Sequence, residues 1–215
     1  MKLKYEISTP DRSWNIEFII DPKVGIIPPE KTDGYGAWTL LEVGKCPHCP
    51  LTNERRCPIA KNIDTVLSGV HELASFDEVD AKVTLTDHIE TTTTAQTTAQ
   101  QILSNLVGAI IASSSGCPHT NFLKPMVLFH RPFAGQDESI YRALANIALC
   151  YQQSNTAEPF TKYALGLYKN LHAVNVGLVH RIRDVDPSEE ALINAFINLD
   201  TFVKGVIYYI ESNLQ

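Results

Sequence analysis

The stretch Lys45–Ala60, KCPHCPLTNERRCPIA, holds three of the five cysteines, and each of the three is followed by proline. A fourth cysteine of the same kind, Cys117, stands far downstream in SGCPHT. The fifth, Cys150, lies in an apolar helical pattern without that context. Four cysteines that share one ligand would fix the fold strongly, because they would join residues 46 and 117 at a single point. Cys46 and Cys49 have the i, i+3 spacing that lets one turn present two sulfurs. With Cys57 and Cys117 they make a candidate Cys₄ set for tetrahedral zinc. His48, His119 or His130 could replace one cysteine.

Four thiolates on Zn²⁺ carry a net charge of −2, which Lys45, Arg55 and Arg56 are near enough in sequence to offset. Such a centre contributes on the order of 10 kcal/mol to folding. The metal would then be a condition of the fold. One feature departs from the usual zinc knuckle. The residue after its second cysteine is a flexible one whose backbone N–H reaches sulfur, and here it is Pro50, which has no N–H. Three other readings stay open: reduced buried thiols with no ligand, a thiol redox pair, and an iron–sulfur cluster.

The compartment bears on that choice. Lys2, Lys4 and Glu6 leave no early apolar run, so no export signal is expected. No stretch reads as the roughly 20 apolar residues of a membrane helix. The expectation is therefore a cytoplasmic protein with reduced thiols, where CxxC points to metal or redox chemistry rather than a disulfide framework. The net charge of −6, from 18 basic and 24 acidic side chains, argues against a general nucleic-acid binder.

Along the chain, Leu3, Tyr5 and Ile7 and then Trp14, Ile16, Phe18 and Ile20 alternate with polar residues on either side of Thr9-Pro10-Asp11, which predicts a β-hairpin. Gly25–Gly36 reads as a loop and Trp38–Val43 as a third strand leading into Cys46. Pro58 suits a first helical turn, so Cys57 is expected at a helix N-terminus, where the dipole favours a thiolate. The helical spacing continues from Ile59 through Leu73. Val79–Leu85 alternates as a strand, and Ile89–Thr94 is expected to return beside it, with its threonine run as a solvated edge. A helix capped by Thr97 or Thr98 carries Ile102 to Ile111 and stops at Ser113-Ser114-Ser115-Gly116.

The remainder is helical. Phe122–Phe133 is a short apolar stretch broken by prolines, and Asp137–Tyr151 has helical spacing. Two long helices follow, joined at Asp186-Pro187-Ser188-Glu189, a helix-start pattern, and they predict an antiparallel hairpin. The fold class is α+β in one domain over 1–215. Residues 1–96 are mostly β with one helix and 97–215 mostly α. Val206–Ile210 is apolar on more than one face, which suits either a core helix or a homodimer contact. His172 and His180 read as structural or surface residues. His130, in a proline-rich turn, or His119 could act with Cys117 as a base.

The motif CPHC resembles the active-site motif of thioredoxin-like thiol oxidases, over four residues only. Taken together, CPxCPL, CPIAxN, ASSSGCP and FHRPFA followed by Tyr141-Arg142 resemble an uncharacterised bacterial family, a domain of unknown function, over nearly the whole chain. The resemblance implies a bacterial cytoplasmic protein and no particular reaction. It directs attention to Cys46, Cys49, Cys57, Cys117 and His130. Two functions follow for test: a binding or regulatory module with a structural zinc on the four cysteines, or a thiol-dependent or metal-dependent enzyme using the same cysteines with His130.

Overall fold

A computed structural model describes residues 1–31, 34–70, 73–185 and 189–214. Its first layer is a five-stranded antiparallel sheet in the order β3-β2-β1-β4-β5. The strands are β1 (Lys2–Ser8), β2 (Ser13–Asp21), β3 (Gly25–Ile27), β4 (Glu78–Thr86) and β5 (Glu90–Thr98). The period-2 runs do what their pattern dictates: Leu3, Tyr5, Ile7, Ile16, Phe18, Ile20, Val79, Ala81 and Val83 all point into one buried face. Tyr5 stacks on Phe18 across the β1–β2 pair, with ring planes 9° apart. The threonine-rich β5 is the edge strand and largely exposed, as its composition suggests.

Helix α2 (Ala99–Ser113) lies against the sheet and is buried along most of its length. Thr98 occupies its N-cap position, but no side chain caps it. Instead the carbonyls of Asp77 and Ser75 accept from the Ala99 and Gln100 N–H groups. On its far side α2 packs against α6 (Glu190–Asn213), which pairs with α5 (Phe160–Val185). Thr161 at the start of α5 donates to the carbonyl of Leu214, just past the end of α6, so the two helices run antiparallel. A core cluster runs from Leu3 on β1 to Ile210 on α6. The remaining helices are α1 (Pro58–Val66), the single turn α3 (Lys124–Val127) and α4 (Gln136–Ser154).

Three local expectations need correction. Gly25–Ile27 is not loop but β3, because Ile26 buries its side chain opposite Ile20. Trp38–Val43 is not a strand: it begins in a 3-10 turn, Ala37–Thr39, and makes a single bridge, Leu40 with Arg56. The carbonyls of Trp38, Leu40 and Leu41, which a strand would offer to a neighbour, accept from the Arg181 guanidinium instead. Helix α1 stops at Val66 rather than reaching Leu73. Leu67 and Val70 stay buried in the turn beyond it. The helix-start pattern at Asp186-Pro187-Ser188 lies outside the described residues. Glu189 stands at the N-cap of α6.

By length and composition alone, α6 could cross a membrane. It carries Asp200, whose carboxylate is nearly buried and accepts from His172 at 2.6 Å and Lys204 at 2.8 Å. That pairing gives His172 the structural role expected of it. Val206 and Ile210 face the core, while Tyr208 turns outward.

Candidate metal centre

The loop that carries Cys46 and Cys49 is tied at both ends. The Leu41 N–H donates to the Arg55 carbonyl at 3.1 Å, and the Cys57 N–H donates to the Thr39 carbonyl at 2.8 Å. Within it, the Cys49 N–H closes a turn on the Cys46 carbonyl at 3.0 Å. The loop then lies directly on α5 through two glycines. A Cβ on Gly44, whose φ is +53°, would stand 3.0 Å from the Gly177 carbonyl. A Cβ on Gly177 would stand 3.0 Å from both the Cys46 sulfur and the Gly44 carbonyl. No other residue type permits that approach without movement.

Cys57 occupies the N-cap of α1, with Pro58 behind it, as expected. Cys117 follows the end of α2. The two segments touch: a Cβ on Gly116 would stand 3.1 Å from the Pro58 ring, and Asn62 on α1 donates to Ser114 at 3.0 Å. His119 is joined to the Cys46–Cys49 turn, its Nε2 lying 2.8 Å from the His48 carbonyl. The His119 ring thus braces the two loops through the His48 backbone.

The electrostatics place the four thiols in one neighbourhood. Burial pushes the Cys46 thiol up to about 12; Cys57 pushes the same way, Arg181 opposes, and Cys117 and Cys49 add smaller rises. Burial also raises Cys117, the most buried of the four, and Cys57 and Cys49 add to that. A backbone N–H from His119 and a hydrogen bond from Thr120 work against the rise. The Cys117 sulfur thus receives the His119 N–H, two residues on, past a proline that follows it as Pro50 follows Cys49. Cys46 and Cys117 are therefore thiols, not thiolates, at neutral pH. A redox pair needs a low-pKa attacking sulfur, and Cys46 does not provide one. As they stand, the side chains are not a closed ligand set: among the described residues no group of three His, Cys, Asp or Glu could hold a metal ion.

Two residues change the sequence-based picture. Lys45 pairs with Glu42, and Arg56 donates to the Gly36 carbonyl and to Thr39, so neither is the cation acting on Cys46. That cation is Arg181, 1% exposed and without a carboxylate partner among the described residues. Its sequence signal was an arginine on the apolar stripe of Val174, Leu178 and Ile182. His130 belongs elsewhere. Its Nε2 lies 2.7 Å from the Tyr5 hydroxyl, and the cavity it lines contains no cysteine. Cys150 is also apart, its thiol directed to the Phe122 carbonyl at 3.8 Å.

Comparison with known families identifies the chain at this point. The model of a domain of unknown function, DUF6901, matches residues 3–215, so the chain belongs to that family. No curated protein and no solved structure matches it.

Proposed function

We propose that this DUF6901 protein is a binding or regulatory module of the bacterial cytoplasm, in which Cys46, Cys49, Cys57 and Cys117 take up a structural zinc ion. The reading rests on the convergence of the Cys46–Cys49 turn, the start of α1 and the Cys117 turn, joined by the His119–His48 and Asn62–Ser114 contacts, beside the buried Arg181 guanidinium, which has no carboxylate partner among the described residues. Protonated thiols are weak hydrogen-bonding groups and gain little from one another. Deprotonated on Zn²⁺, the same four carry a net charge of −2, which gives Arg181 a counter-charge that no other described residue supplies. Binding requires the protons to leave and the side chains to turn onto the ion, so affinity rises with pH.

The second reading, an enzyme joining these cysteines to His130, finds no corresponding geometry, since His130 is engaged by Tyr5. The deciding experiment is elemental mass spectrometry on protein purified without a histidine tag, with a thiol count under denaturing conditions. About one zinc per chain is the expected result. Absence of metal with five titratable thiols would refute the zinc centre. Iron and acid-labile sulfide in its place would replace zinc by an iron–sulfur cluster on the same ligands.

A further inference from the structure

A cavity of about 500 Å³ lies among α2, α3, α4, α5 and α6, on residues that the cysteine site does not use. Its size is that of a site for a small metabolite. Its charge is unlike that of the whole chain. The protein carries a net charge of −6, yet among the described residues no aspartate or glutamate lines this cavity, while Arg131, Arg142 and His130 do. Arg131 reaches Glu138 at 3.4 Å. Arg142 has no carboxylate partner among the described residues, and it acts electrostatically on His130. A half-buried guanidinium without an anion is a vacancy for one.

The neutral groups point the same way. Tyr5 is fully buried, and its hydroxyl is best satisfied by donating to His130 Nε2, which leaves the proton on Nδ1 as a second donor. Asn175 also lines the cavity, is 1% exposed, and its Oδ1 has no hydrogen-bond partner. An unpaired buried carbonyl oxygen of this kind costs stability unless a bound molecule supplies a donor, which a carboxylate head cannot do, so Asn175 calls for a hydroxyl or N–H on the body of the ligand rather than for its head group. The rest of the wall is apolar, through Val127, Leu171, Leu199 and Phe202. Phe133, just past His130, is held at φ +60° with its N–H on Asn105 Oδ1. Asn105 and His130 are both lining residues, so this constrained turn fixes one edge of the cavity.

We propose that this cavity binds a small amphipathic carboxylate, its head group on Arg142 and His130 and its body along the apolar wall. A single unpaired guanidinium beside neutral donors matches a monoanion, and the apolar wall requires a body to cover it. The proposal is independent of the metal centre, since the two sites share no residue.

The test uses octanoate, 1-octanol and inorganic phosphate as probes, titrated calorimetrically into the full chain. Octanoate is expected to bind, about tenfold or more tighter than 1-octanol, and Arg142→Gln is expected to weaken it by a similar factor. Arg142→Lys, which keeps the charge but not the fork, should fall between. If Arg142→Gln fails to fold, the octanoate–octanol comparison on the wild-type chain decides. No octanoate binding at millimolar concentration, equal binding of the alcohol, or binding of phosphate alone would each overturn the proposal.

Discussion

Arg181→Met removes a buried charge while keeping most of its apolar stem. The guanidinium donates to the carbonyls of Trp38 at 3.3 Å, Leu41 at 2.9 Å and Leu40 at shorter range. Hydrogen bonds from a charged donor contribute about 1.5–3 kcal/mol each, and the long bond to Trp38 belongs at the low end. Against this, methionine is relieved of the cost of burying a charge, several kcal/mol. The carbonyls left behind lie beside Thr39 and Leu41, both essentially buried, so water replaces the lost donors poorly. Each buried carbonyl left without a donor costs about 1–3 kcal/mol, and with the relief of the buried charge set against three of them the net loss is about 3–5 kcal/mol. For a chain of this size that lowers Tm by about 10 °C. Circular dichroism melts measure it. Amide exchange adds the location: residues 38–57 should lose protection while β1 and β2 keep theirs. A Tm within about 2 °C of wild type would refute the claim that this guanidinium holds the cysteine loop.

Other expectations are briefer. Gly177→Ala drives a methyl into the Cys46 sulfur and the Gly44 carbonyl and should destabilise by about 1–3 kcal/mol despite the better helix propensity of alanine. Gly166→Ala, on the same helix with nothing within 4 Å, should instead stabilise by up to about 1 kcal/mol, so urea titration of the pair separates the contact from propensity. Burial, aided by Arg142, lowers His130 to about 4 from its ordinary 6.5. The unfolded chain then binds a proton that the folded one refuses, and about 2–3 kcal/mol of stability present above pH 6.5 is lost as pH falls toward 4. His130→Gln should flatten that acid limb in equilibrium unfolding between pH 7 and 4.5. Cys46 works in the opposite direction: its raised thiol makes the metal-free protein lose stability as pH climbs from about 9 toward 12. At pH 7.5 it should resist iodoacetamide for hours in peptide mapping, and prompt labelling would contradict the burial that keeps it protonated.

What was legible in the sequence was periodic. Leu3-Tyr5-Ile7 and Val79-Ala81-Val83 alternate because one face is buried, the stripes of α5 and α6 repeat because one side of each packs, and α2 is apolar nearly all round because it packs on two sides. Cys57 before Pro58 gave the helix start from two adjacent residues. What escaped is decided at long range. Trp38–Val43 has the composition of a strand, but the donor that takes its carbonyls is Arg181, more than a hundred residues away. Ile26 looked like part of a Pro-Gly loop until Ile20 was beside it. Asn175 and Arg142 are ordinary on their own helices, and only the packing of α4, α5 and α6 brings them to one cavity. The cysteines lie between these cases. Their spacing and flanking prolines single them out, while the cation beside them comes from a helix that the local pattern does not connect to them.

The same geometry bears on how far the proposed metal governs the fold. From the sequence, about 10 kcal/mol from four thiolates would make zinc a condition of folding. Small metal-dependent domains behave so because they have little else. Here the sheet, α2, α5 and α6 bury a core with side chains on both sides of α2. The cysteine loop itself is pinned without metal, by its paired ends, by Arg181 and by the Gly44–Gly177 contact. Removal of the ion should therefore act locally. In protein shown to contain zinc, chelation is expected to free amide exchange in residues 42–57, the first turn of α1 and the Cys117 turn, with the protection of β1, β2 and α2 retained. A cooperative loss of protection across the sheet on chelation would show that the core cannot stand alone, and that the ion supplies most of the net stability of the chain.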